Sequence, residues 1–164
     1  MPTSATGTSR RTPGRSRRPR LRLSLQIGSR AIRAPTERQV RRWAGAALKS
    51  GGDITVRIVG AAEGRRLNTR YRGENHATNV LSFPYETTGR AVRGDIVLCA
   101  PVIAREARDQ DKSMEAHYAH LTVHAVLHLR GYDHKRPRDA ERMEALEKRL
   151  LTKLGYPDPY QTSP

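Results

Sequence analysis

Apolar and polar residues alternate over Leu21, Leu23, Leu25 and Ile27, the period-two pattern of a strand buried on one face. Past Pro35 the period changes. Val40, Trp43, Ala44, Ala47 and Leu48 recur at i, i+3, i+4, i+7 and i+8, and Thr36 with Gln39 has the spacing of a capping box. An amphipathic helix is therefore expected, ending at Gly51 and Gly52. Ile54, Val56 and Ile58 predict a second strand, followed by a short helical stretch around residues 62–69. Residues 79–85 and 95–100 read as two further strands. Thr87, Thr88, Gly89 and Arg90 would join them as a hairpin, in which Pro84 suits an edge or a strand end.

Pro101 can begin a short helix through Arg108, and a longer helix is expected from about Ser113 to Leu129, closed by Gly131. A last helix starts near Pro137 and is expected to turn Met143, Leu146, Leu150 and Leu154 inward at i, i+3, i+7 and i+11. Four strands that mostly precede three helices predict an α+β fold, a small mixed sheet of about four strands packed with helices. The order of the strands does not follow from the pattern. A length of 164 residues suits one domain with a real core. The expected layout is a basic arm at 1–20, a domain at 21–157 and a flexible C-terminal tail at 158–164.

Charge adds a partner class. There are 31 Lys+Arg against 16 Asp+Glu, a formal charge of +15 that points to a polyanion such as nucleic acid. Residues 1–22 hold seven arginines and no acid, so +7 lies there and +8 elsewhere. The first twenty residues carry almost nothing to bury and are expected to be disordered, with either a salt-sensitive affinity for RNA or a solubilising role. Pro13, Gly14 and Pro19 would interrupt the amphipathic helix of a transit peptide, and no stretch is apolar enough for a secretory signal or membrane helix. A soluble, cytoplasmic protein with no membrane partner is expected. The single cysteine, Cys99, lies in the apolar run 96–100 and reads as core.

The chemistry concentrates in one place. Five of six histidines, at 117, 120, 124, 128 and 134, fall within 18 residues. His124 and His128 are one helical turn apart and share a face. After Gly131 the chain can reverse and return His134 over the helix end. An i, i+4 pair alone is better explained by packing, but the third histidine points to a three-nitrogen metal site. Three protein ligands leave a fourth position open, the mark of a catalytic rather than a structural zinc. His117 and His120 are expected to pack or to support the ligands. The spacing equals the metzincin protease pattern, yet its glutamate base is replaced by Ala125, which makes peptidase activity a secondary alternative.

The segment from His120 to His134, His-Leu-Thr-Val-His-Ala-Val-Leu-His-Leu-Arg-Gly-Tyr-Asp-His, resembles the signature of the YbeY family of bacterial endoribonucleases. The likeness extends to Leu67–Arg72, Thr78–Pro84, Gly94–Ile96 and the helix from Met143 to Leu151. The family usually has glycine where this chain has Ala125; both are small. The resemblance implies one Zn2+ ion held by His124, His128 and His134, and single-strand-specific cleavage of RNA. It also implies a role in 3′-end maturation of small-subunit (16S) ribosomal RNA and in ribosome quality control, with ribosomal RNA and the small ribosomal subunit as partners and no DNA. Arg72 corresponds to the family's functionally important arginine, and a guanidinium suits phosphate. Residues 79–83 read as mainly structural. Asp95 either holds a histidine or caps a turn. A ribosome-assembly factor with a structural zinc is the other reading of the same residues.

Overall fold

The computed structural model describes residues 20–29, 32–86, 89 and 91–161. The expected arm at 1–20 therefore lies, but for Arg20, outside the described residues. Strand β1 (Leu21–Ile27) leads to helix α1 (Glu37–Ala47), then β2 (Gly52–Val59) and α2 (Ala61–Arg72). Strands β3 (Val80–Pro84) and β4 (Val92–Cys99) precede α3 (Ala100–Asp109), α4 (Met114–Leu129) and α5 (Pro137–Leu154). The sheet order is β1-β2-β4-β3, with β1, β2 and β4 parallel and β3 antiparallel to β4. The fold is thus a single α+β domain with a four-stranded mixed sheet. Pro84 ends the edge strand β3, where its missing N–H costs no ladder bond.

Helix α1 begins on the expected capping box, with Thr36 and Gln39 bonded reciprocally. It ends earlier than expected, at Ala47. Leu48 turns to an extended conformation, and Gly52 already belongs to β2, where a Cβ would stand 3.0 Å from the Val92 carbonyl oxygen. The short helical stretch foreseen around 62–69 grows into α2, which ends on Gly73 in the left-handed region.

Alternation along β4 sends Ile96 and Leu98 to one face of the sheet and Val97 and Cys99 to the other. The first face carries the main core, in which Trp43, Ile54, Ile58, Leu127 and Met143 are fully enclosed beneath α1, α4 and α5. The second face is covered through Leu67 of α2 and Val102 of α3. Burying this apolar area is the main source of stability. Helix α4 is buried around most of its circumference, which makes it the central helix.

Gly94 sets how closely α4 sits on the sheet. A Cβ there would lie 2.6 Å from both Leu129 Cδ2 and the Phe83 carbonyl oxygen, so only glycine lets the end of α4 settle beside β3 and β4. On α5 the inward line is not the expected one. Met143, Glu147 and Leu151 are buried at i, i+4 and i+8, while Leu146, Leu150 and Leu154 flank them half-buried. Residues 158–161, expected within a flexible tail, are docked instead. Asp158 pairs with Lys148 at 3.2 Å, and Lys112 donates to the Pro159 carbonyl at 2.7 Å. No helix of the described residues is long and apolar enough to cross a membrane.

Candidate metal centre

Helix α4 starts at Ser113, whose hydroxyl accepts from the Ala116 N–H, and stops in a Schellman arrangement. The N–H of Gly131 bonds the His128 carbonyl at 2.9 Å and that of Tyr132 the Leu127 carbonyl at 3.0 Å, with Gly131 at φ +95°. This reversal returns the chain over the helix end. Asp133 then fixes the return, its Oδ1 accepting from the N–H groups of His134 at 2.7 Å and Lys135 at 3.1 Å.

The result brings His124, His128 and His134 together. Their candidate ligand nitrogens all lie within 4.8 Å of one another. The Nε2 atoms of His124 and His128 face each other at 3.0 Å, and the His134 ring stands 5.0 Å from that of His128 and 5.7 Å from that of His124. Burial, and after it the neighbouring imidazoles of His124 and His134, pushes the His128 pKa down. A neutral imidazole is the form that binds metal. The carbonyl end of α4 adds partial negative charge, which favours a cation there.

One carboxylate not singled out in the sequence belongs to this site. Glu147 of α5 is fully buried and contacts His124 Nδ1, His120 Nε2 at 3.1 Å and the Tyr160 hydroxyl. Burial alone would raise its pKa, but the hydrogen bonds from His120, His124 and Tyr160 outweigh that and hold the carboxyl at about 2. An ionised Glu147 accepts the Nδ1 proton of His124, so the lone pair of that ring is on Nε2, facing His128. His120, His124 and Glu147 also form a cluster of metal-binding residue types. Glu147 is already engaged by three donors, however, and this cluster is better described as the support of the first.

The remaining residues fall as follows. His117 is buried with its Nε2 3.1 Å from Glu106, which also accepts from Asn79 at 3.0 Å, so it ties α4 to α3 and the start of β3. Asp95 receives the Tyr85 hydroxyl beside the β3–β4 ladder and meets no histidine; Glu147 takes that part. Ala125 is fully buried among core residues, where no carboxylate base is present. Arg72 is exposed at the last turn of α2 and makes no hydrogen bond to an imidazole among the described residues. Its neighbour Tyr71 packs edge-on against Phe83 of β3, with ring centroids 4.9 Å apart, so Arg72 stands on the β3 side of the molecule.

Three imidazole nitrogens and, among the described residues, no fourth ligand in the group form a set that can hold a metal ion with a position left for another oxygen. Zinc–nitrogen bonds of about 2.0–2.1 Å in tetrahedral geometry separate ligand nitrogens by about 3.4 Å, which the 3.0 Å pair nearly meets.

Comparisons with known proteins identify the family. The family model described as Endoribonuclease YbeY matches residues 26–155, the span that contains β2, β3, β4, all five helices and the three histidines. The chain is 56% identical over 144 residues to the Endoribonuclease YbeY of Aromatoleum aromaticum, a match covering 86% of this chain and 93% of that one. It is 52% identical to the Endoribonuclease YbeY of Methylobacillus flagellatus, covering 88% and 96%. A solution structure from Thermotoga maritima superposes with a TM-score of 0.49 at 21% identity, covering 86% of this chain and 99% of that chain. On the family model and the relatives at 56% and 52% identity, the chain belongs to the YbeY family.

Proposed function

We propose that this protein is a zinc-dependent, single-strand-specific endoribonuclease that matures the 3′ end of small-subunit (16S) ribosomal RNA and serves ribosome quality control in the cytoplasm. The observation that carries the reading is the group of three imidazoles at the end of α4 without a fourth protein ligand among the described residues. Its relatives, named as endoribonucleases, support RNA as the substrate, and the charge of +15 suits a polyanion.

His124, His128 and His134 would hold one zinc ion. When bound, zinc supplies Lewis acidity toward a phosphoryl oxygen and acidifies water. Glu147 keeps His124 in the tautomer that offers Nε2, and so positions the ligand without touching RNA. Arg72 is free to donate in a bidentate fashion to a phosphate of a strand lying along the β3 side, and to offset charge that grows there during cleavage. Ribosomal RNA and the small ribosomal subunit are the partners of this reading. The basic arm at 1–20 adds RNA affinity that falls with salt.

Metal analysis and a cleavage assay on one preparation test it. The wild-type protein is expected to hold one zinc per chain and to cut single-stranded ribosomal RNA, and His128→Ala to lose both. Full nuclease activity in a verified metal-free variant would falsify the metal-dependent reading.

A further inference from the structure

A groove of about 480 Å³ runs between the end of α1 and the outer side of α5. Lys49, Arg130, Arg142, Arg149 and Lys153 line it, over a floor that includes Leu48, Leu146 and Leu150, and no carboxylate does. Arg142, Arg149 and Lys153 stand at i, i+7 and i+11, one face of α5. They span about 16 Å of helix, the axial length of about five stacked nucleotides at 3.4 Å each. Among the described residues none of Lys49, Arg142, Arg149 and Lys153 pairs with a carboxylate, whereas Arg41, Arg57 and Lys148 all do.

Five cations in one concavity, none with a carboxylate partner among the described residues, repel one another, and a fold keeps them at a cost unless an anion neutralises them. Arg130 is already set in place. Its Nη1 donates to the Ala47 carbonyl at 2.8 Å and its guanidinium lies 5.2 Å from the Tyr132 ring centroid, so little side-chain freedom is left to lose on binding. At its Arg130 and Arg142 end the groove continues into a second hollow lined by Gly131, Tyr132, Asp133 and Asp139. Asp133 there accepts through Oδ1 from the N–H groups of His134 and Lys135, and Asp139 belongs to the first turn of α5. The two carboxylates mark the end of the cationic lining, with His134 directly after Asp133. The row of cations therefore leads to the loop that carries the third histidine.

We infer that this groove is a binding track for the phosphates of single-stranded RNA flanking the cleavage site, separate from the histidines and from Arg72. The inference rests on the reading that the histidine centre acts on RNA. A polyanion with evenly repeated charge, running toward that centre, fits both the one-sided lining and its direction. The apolar floor holds the stems of the cations rather than a second charged partner.

The experiment compares wild type with Arg149→Gln/Lys153→Gln in the full chain. Both side chains are exposed and unpaired, so the fold and zinc content are expected to persist. For a single-stranded RNA of about 15 nucleotides the variant should bind roughly tenfold or more weakly at low salt. The slope of log affinity against log salt should lessen by about 1.4, which is two phosphate contacts. Cleavage of an RNA too short to reach the groove should not change. Unchanged affinity and slope for the long RNA would overturn the track. So would a variant that loses affinity for polyglutamate but not for RNA, which would assign the groove to an acidic protein. As a second measurement, 4-thiouridine RNA should crosslink wild-type peptides from α1 and α5; crosslinks confined to the arm would overturn the track as well. Groove-dependent binding without any cleavage would instead leave the track standing and remove the nuclease reading.

Discussion

Glu147, a fully buried carboxylate on α5, accepts the Nδ1 proton of His124 on α4 and thereby turns the Nε2 of that ring toward His128. Two helices, joined through residues 23 positions apart, are locked at the point where the three clustered imidazoles meet. The contact is inside the protein, so it acts on the ligand and not on the substrate.

This relationship predicts the behaviour of Glu147→Gln. The amide keeps the volume and one acceptor oxygen but loses the charge that fixes the His124 tautomer. Zinc affinity, measured by competition with a chromophoric chelator, should fall roughly 10–100-fold, while the circular dichroism of the protein stays that of wild type. Unchanged affinity would mean that His124 is oriented by packing alone.

The same pair shows what the sequence could and could not reveal. His124, His128, Gly131 and His134 are near neighbours in the chain, and helix geometry plus one reversal is enough to bring three imidazoles together. Glu147 escapes the pattern because apolarity alone marks the inward positions of an amphipathic helix. A glutamate at i+4 from Met143 falls on the buried line only because histidines on another helix and Tyr160 donate hydrogen bonds to it. Tyr160 lies beyond the last periodic segment, where no pattern marks a contact. The end of α1 was misplaced for a different reason: the glycine pair at 51–52 looks like a helix stop, yet Gly52 is needed for the close approach of Val92 in the sheet. The strand order likewise depends on long-range pairing, which Pro84 marked only at the edge.

Gly94→Ala tests how α4 is seated. The added methyl would meet Leu129 Cδ2 and the Phe83 carbonyl at 2.6 Å, and the carbonyl, being backbone, can yield only if the edge strand moves. Overpacking of this kind costs about 1–3 kcal/mol. Urea unfolding should show a lower midpoint with an unchanged m-value. A midpoint equal to wild type would show that α4 can lift off the sheet at no cost.

Acid should destabilise the protein partly through His117. Burial lowers its pKa more than the nearby Glu106 raises it, so the fold favours the neutral ring. The unfolded chain binds a proton at about pH 6.5. The stabilisation is therefore fully present above that value and is lost as pH falls toward and through the lower folded value. Urea titrations of the metal-free protein between about pH 7.5 and pH 5 should show a shallower loss for His117→Gln than for wild type. Parallel curves would place the proton uptake elsewhere.

Substitution of Arg72 is expected to separate metal binding from action on RNA. It is exposed at the end of α2, on the β3 side, and no imidazole bonds to it among the described residues. Arg72→Ala should accordingly leave zinc content and unfolding midpoint unchanged. If its guanidinium grips a phosphate during cleavage, the variant loses hydrogen bonds to a charged group worth about 1.5–3 kcal/mol, which is roughly 10–100-fold in kcat/KM on single-stranded RNA. Arg72→Lys keeps the charge but not the two-pronged donor and should recover only part of that loss. Zinc loss in Arg72→Ala would make the residue structural, and full activity would remove it from the site altogether.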